Sequence, residues 1–167
     1  VVTVAHQASA ARAHGAPAYS YDPPHVARVS GGGPTLGGAM VTVYGANFGG
    51  SDHQPQASVG GRPCAATIWV DDTALQCALP AGAGRERGVV VTVGGQASAA
   101  RPVLSYEPPE VTGVAPGAAG PTDGGNTVEV RGRNFGAAAN VVSVEVGGQR
   151  CLVSQWVVDD MVRCRMP

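Results

Sequence analysis

The stretch Gly45-Ala46-Asn47-Phe48-Gly49-Gly50 has a near copy in Gly132-Arg133-Asn134-Phe135-Gly136-Ala137. These two segments hold the only 2 phenylalanines of the 167 residues. Working outward from the pair, the 87-residue offset between Phe48 and Phe135 also carries Pro34-Thr35 onto Pro121-Thr122 and Gly37-Gly38 onto Gly124-Gly125. It carries Val59-Gly60-Gly61 onto Val146-Gly147-Gly148, Cys64 onto Cys151, Trp69 onto Trp156, Asp72 onto Asp159, Cys77 onto Cys164 and Pro80 onto Pro167. One ungapped register over that span marks two copies of one module.

The junctions repeat as well. Ser20-Tyr21-Asp22-Pro23-Pro24 returns as Ser105-Tyr106-Glu107-Pro108-Pro109, and Val1 to Arg12 returns almost unchanged as Val90 to Arg101. The expected organisation is therefore 1–19 as the C-terminal strand of a preceding module and 20–104 as a complete module. Residues 105–167 are expected to be a second module truncated before its last strands.

Composition favours short strands and turns. The chain holds 25 Gly and 13 Pro, and aromatics are only 5%, so a core has to be built from Val and Ala. Met40-Val41-Thr42-Val43-Tyr44 and Thr127-Val128-Glu129-Val130-Arg131 alternate with period two between glycines, the pattern of a half-buried strand. Val41 and Val43 are expected on one face, and Val128 and Val130 on the corresponding one. No segment sustains a helical period. About seven short strands per module give an all-β class of small antiparallel sandwiches. Asn47 and Asn134 tolerate left-handed backbone, and Gly49 and Gly136 adopt it freely. The Asn-Phe-Gly group thus reads as a sharp turn that sends one large ring, Phe48 or Phe135, into a core of small side chains.

Taken together, Gly-Gly before a Val-rich strand, Gly-x-Asn-Phe-Gly, Val-x-Val-Gly-Gly-x-x-Cys, and a second Cys ahead of Pro resemble the IPT/TIG module. The resemblance implies tandem immunoglobulin-like, E-set type β-sandwiches. Such modules occur in plexins and growth-factor receptors, fibrocystin-like ciliary surface proteins, Rel-type transcription factors, bacterial surface proteins and amylolytic enzymes. The fold is thereby narrowed more than the function.

Each copy holds two cysteines at the same spacing of 13, Cys64 with Cys77 and Cys151 with Cys164. Four cysteines allow three pairings. Modular repetition favours closure within each copy, and in the extracellular modules resembled here cysteines at these positions bond to each other. A bridge of this span would contribute about 3 kcal/mol in the chain-entropy model. Free buried thiols and zinc are the other readings. Zinc wants clustered Cys or His, whereas the four histidines lack counterparts in the other copy and no Cys-x-x-Cys occurs. Bridged cysteines would place the chain in the secretory pathway, extracellular or on a cell surface.

Other residues each carry two readings. Asp71-Asp72 and Asp159-Asp160 suit turns better than calcium, which takes six to eight oxygens. Tyr21, Pro23, Pro24, Tyr106, Pro108 and Pro109 read as stiff linkers whose tyrosines pack on the module ends. Trp69 and Trp156 read as covers for the disulfide and sheet of their module, with sugar stacking as the alternative. No metal, cofactor or catalytic set is expected. Eleven basic residues, all Arg, against 12 acidic ones leave a net charge of −1, without the basic footprint of a duplex-DNA reader.

These readings converge on a non-catalytic structural or adhesive array acting as a rigid spacer and protein-interaction scaffold. Its expected partners are neighbouring modules and other proteins, including self-assembly into a filament or coat; nucleic acid is not expected. The resemblance adds a ciliary surface as one setting. Contact with a membrane would come only through sequence outside 1–167. The alternatives are a receptor ectodomain stalk and an accessory, glycan-binding module of a secreted carbohydrate-active enzyme.

Overall fold

The computed structural model describes residues 3–4, 7–8, 20–115, 124–137 and 142–167. Most of the expected 1–19 tail, and the Pro121-Thr122 pair, lie outside the described residues. Within them, every regular element is a β-strand.

A hairpin of β1 (Thr3–Val4) and β2 (Gln7–Ala8) comes first. The first sandwich follows: β3 (His25–Val29), β4 (Met40–Ala46), β5 (Gln56–Val59), β6 (Arg62–Pro63), β7 (Ala66–Asp71), β8 (Ala74–Ala78), β9 (Arg87–Val93), β10 (Gln96–Ala97) and β11 (Arg101–Leu104). One sheet runs β3-β4-β8-β7, and the other β10-β9-β5-β6 with β11 also on β9. All of these pairs are antiparallel. Alternation then sorts the side chains. Val41 and Val43, paired with Cys77 and Leu75, face inward from one sheet. Ala57 and Val59, paired with Val91 and Val89, face them from the other. The core between includes Val26, Phe48, Leu75, Val89, Val91 and Leu104, all fully buried.

The second copy repeats one sheet strand for strand. β12 (Glu110–Ala115), β13 (Thr127–Arg133), β16 (Val153–Val158) and β17 (Met161–Arg165) are ordered β12-β13-β17-β16. Val128 pairs Cys164 and Val130 pairs Val162, the register of Val41–Cys77 and Val43–Leu75 moved along by one copy. All four of those inward residues are buried. Its other sheet is represented by the hairpin of β14 (Glu145–Val146) and β15 (Gln149–Arg150). The β1–β2 hairpin pairs Thr3 with Ala8 and Val4 with Gln7, matching Thr92–Ala97 and Val93–Gln96 of β9–β10.

Candidate functional site

Chemistry-bearing residues gather where the Asn-Phe-Gly turns meet the Asp loops, and one such meeting point lies at the junction of the copies. Asn47 and Asn134 both have φ 61°, while Gly49 and Gly136 have φ 106° and 108°. This backbone aims the amides of Phe48 and Gly49 at Asp72, whose carbonyl and Oδ1 accept them at 3.0 and 2.9 Å. Phe135 and Gly136 donate to the Asp159 carbonyl and Oδ1 in the same way, both at 2.9 Å. Each indole N–H then closes the turn: Trp69 Nε1 donates to the Gly49 carbonyl at 3.2 Å and Trp156 Nε1 to that of Gly136 at 3.1 Å. Trp69 also packs, as Cys64 does, against the core cluster that contains Cys77. The leading glycine of the motif is required by close approach: a Cβ on Gly45 would sit 1.9 Å from the His25 carbonyl oxygen and 2.6 Å from Phe48 Cζ. Gly132 is hemmed in alike, at 1.9 Å from the Glu110 carbonyl oxygen and 2.5 Å from Phe135 Cζ.

At the junction the second turn does more. The loop 34–37 is a tight turn, with the Gly37 amide donating to the Pro34 carbonyl at 2.9 Å. Its Thr35 carbonyl accepts from Gly82 N–H at 2.9 Å, so the loop is pinned to the first sandwich. From there Thr35 reaches across. Its amide donates to Asn134 Oδ1 at 3.4 Å and its hydroxyl to Asp159 Oδ1. Thr35 is 2% exposed and Asn134 7%, which keeps water from competing with these bonds. The other end of the Asn134 amide donates to Glu107 Oε2 at 3.1 Å and to the Pro108 carbonyl at 3.3 Å. The linker itself is bound backward: Glu107 N–H donates to the Gly33 carbonyl at 2.9 Å. Tyr106 is buried, its hydroxyl donating to the Pro80 carbonyl at 2.8 Å. Burial pushes the Tyr106 phenol above its ordinary value, with Arg62 and Arg87 pulling the other way. Gly82 leaves the room for this ring, since a Cβ there would lie 2.6 Å from it.

The two linker tyrosines differ in burial. Tyr21 is 78% exposed. The seat of Tyr106 is made by the sandwich before it, through Gly82 and Pro80, and no equivalent sandwich stands before Tyr21 among the described residues. The prolines divide too: Pro24 is buried, whereas Pro23, Pro108 and Pro109 are exposed.

The cysteines are bonded within each copy, Cys64 to Cys77 and Cys151 to Cys164, both with Cα atoms 5.6 Å apart. Each bond runs from the segment after the short hairpin, β5–β6 or β14–β15, to an inner strand of the four-stranded sheet, β8 or β17, and so ties the two layers. Asp71 caps its own turn: its Oδ1 accepts the Thr73 hydroxyl and then the Thr73 amide, which lowers its pKa below the usual carboxylate value. Among the described residues no group of three His, Cys, Asp or Glu side chains is placed to hold a metal. No helix there is long and apolar enough to cross a membrane. A cavity of about 700 Å³ opens between the copies, walled by Arg62, Arg87 and Tyr106 and floored by Val130, Phe135 and Val162. In the first copy the counterpart of that floor is covered by β9 and β11.

Sequence reading singled out Asn134 and Asp159 only as turn residues, and Thr35 only as part of the repeat. The available signal was that all three keep polar identity at the same offset, beyond what a turn requires.

Fold and junction together define a pair of immunoglobulin-like sandwiches joined through a hydrogen-bonded interface. The chain belongs to the IPT/TIG domain family, whose model matches residues 24–106 and 109–167. No curated protein matches it. Among solved structures, it is similar to a protein in a crystal structure with xylogluco-oligosaccharide, at 16% identity and TM-score 0.50, over 88% of this chain and 36% of that one. It is also similar to SGBP-B from a complex xyloglucan utilization locus in Bacteroides uniformis, at 21% identity and TM-score 0.38, over 87% of this chain and 43% of that one. An auxiliary nutrient binding protein from Bacteroides thetaiotaomicron matches at 20% identity and TM-score 0.43, over 54% of this chain and 22% of that one. This chain thus spans less than half the length of each. At such identities the likeness speaks to fold alone.

Proposed function

We propose that this chain is a stretch of a non-catalytic module array, in which 20–104 and 105–167 act as rigid spacers and interaction scaffolds of a secreted or cell-surface protein. One observation carries the reading: Thr35 bridging to Asn134 and Asp159 while Tyr106 and Glu107 bind back to the first sandwich. A flexible string of beads needs none of these contacts, and a spacer that holds an angle needs them all. The two intra-copy bridges support an oxidising compartment. Residual dipolar couplings on the 1–167 chain test the proposal. Both sandwiches are expected to report one alignment tensor; two unrelated tensors would overturn the scaffold reading.

The xyloglucan context of two structural neighbours raises the accessory-module alternative. Trp69 and Trp156 tell against it, because both are only partly exposed and have their indole N–H bound to the adjacent turn. Retention of the oxidised chain on a xyloglucan affinity gel, lost on Trp69→Ala, would favour the glycan reading instead.

A further inference from the structure

The two Asn-Phe-Gly sites share a common set of bonds, to which the second adds Asn134 N–H to Asp159 Oδ2 at 3.3 Å and Asn134 Nδ2 to Glu107 Oε2. Asn47 Nδ2 donates to the Pro23 carbonyl at 3.1 Å as Asn134 Nδ2 does to that of Pro108 at 3.3 Å. Asp72 Oδ1 receives Gly49 as Asp159 Oδ1 receives Gly136, both at 2.9 Å. The difference that comes from another module is Thr35, which is seated on Asn134 and Asp159 and so buries Asn134, whereas Asn47 and Asp72 are exposed. The element that fills the second site, Gly33-Pro34-Thr35-Leu36-Gly37-Gly38, is itself repeated in sequence as Gly120-Pro121-Thr122-Asp123-Gly124-Gly125. Each module therefore encodes both halves of one contact, a threonine loop at one end and an Asn/Asp receiver at the other.

We infer that Asn47 and Asp72 form a receiving site for the Gly-Pro-Thr-x-Gly-Gly loop of a module N-terminal to the first in the same array. The inference rests on the rigid-array reading and names the partner and contact by which the array propagates. The chemistry fits that occupant. The Asn47 Oδ1 and the second lone pairs of Asp72 Oδ1 are acceptors, and the loop presents one amide and one hydroxyl donor at the spacing that Thr35 already demonstrates. The linker supports the same arrangement. Ser20-Tyr21-Asp22-Pro23-Pro24 repeats Ser105-Tyr106-Glu107-Pro108-Pro109 apart from Asp for Glu, so the first receiver follows the same kind of linker as the second. A contact of this kind is head-to-tail, so the same pair of surfaces can recur from one module to the next along the chain.

The test is the full chain with residues 20–104 duplicated in tandem, so that 1–104 runs directly into 20–167 and both junctions keep their natural linker. The copy duplicated has its own closed core. Residual dipolar couplings are recorded with each module isotopically labelled in turn. The expected result is one alignment tensor for all three modules. Thr35→Val in the first module should then release only the first junction, and Thr35→Val in the middle module only the second, with the melting temperature of each sandwich unchanged. If the new junction is loose while the natural one is rigid, the receiver assignment falls and the scaffold reading stands. If both are loose, the scaffold reading falls as well. If neither Thr35→Val change loosens its junction, threonine is not the latch and the inference is wrong.

Discussion

Val26 and Val111 stand at the same position, beside the bulge in the first strand of their copies, yet Val26 is 0% exposed and Val111 60%. The difference comes from the opposite layer. In the first copy β9 and β11 lie over Val26, Val43, Phe48 and Leu75, and the resulting cluster takes in Val89, Val91 and Leu104. In the second copy the described residues of that layer are β14 and β15, and the cluster shrinks to Val128, Val130, Cys151 and Cys164 with partly buried Phe135 and Val144 around it. One sheet keeps its register in both cases. A four-stranded sheet with a disulfide thus holds its own hydrogen-bond pattern, while complete burial of its inner face depends on the facing sheet.

The largest expected effect breaks this comparison at the phenylalanines. Phe48 is fully buried, so Phe48→Ala should cost about 3–5 kcal/mol, the range for emptying an aromatic site in a closed core. Phe135 is only partly buried and borders the open cavity. Phe135→Ala should cost roughly 2 kcal/mol, since area already in water contributes nothing. Denaturant melts followed by residue-resolved NMR separate the copies; equal losses would mean that the second core is as closed as the first.

Next in size are the bridges. Both close the same loop, of separation 13, so each constrains the unfolded chain alike, by about 3 kcal/mol in the chain-entropy model. The same loss falls on unequal cores. Under reductant the second copy should lose amide protection first, with the first copy persisting. Simultaneous loss would show that the smaller cluster is not the weaker one. A smaller effect follows at the bulge: Val26→Ala should cost about 2 kcal/mol, and Val111→Ala should stay within about 0.5 kcal/mol, both read from thermal melts.

Much of this was legible from residues alone, because period-two valines and a constant offset specify strands and copies without tertiary knowledge. Val41, Val43, Val128 and Val130 lie on the inward face that their alternation assigns. The Asn-Phe-Gly turn was legible for the same reason, since φ above zero leaves few residue choices. What the sequence does not display is which surfaces meet. Thr35 lies 99 residues from Asn134, and nothing local distinguishes a threonine that finishes a turn from one that crosses to another module. Nor does the linker motif display that Tyr106 is seated on Gly82 and Pro80, the latter 26 residues earlier in the chain. The tryptophans teach the reverse: their offset was visible, but their hydrogen bonds to Gly49 and Gly136 appear only once the turn is folded.

The smallest expected effect sharpens the comparison on the outer face, where the copies differ in charge. Glu129 takes ion pairs from Arg131 at 3.4 Å and from Arg163, its cross-strand partner, at 3.2 Å. The corresponding positions of the first copy are Thr42, Tyr44 and Gln76, with Arg28 over the Tyr44 ring at 3.7 Å. Hydrogen bonds from Arg131 first, and then from Arg163, hold the Glu129 carboxyl below its usual value. A depressed carboxylate adds stability that is present above its unfolded pKa and is lost as pH falls through the lower folded one. The pairs are exposed, so the increment is small and screened by salt. Acidifying through the ordinary glutamate range and below should therefore weaken amide protection in β13 and β17 beyond any change in β4 and β8. Glu129→Gln should remove the excess, as should high salt. A carboxyl titration that puts Glu129 at its ordinary value, or equal acid sensitivity of both sheets, would show that the outer faces differ in composition without differing in energy.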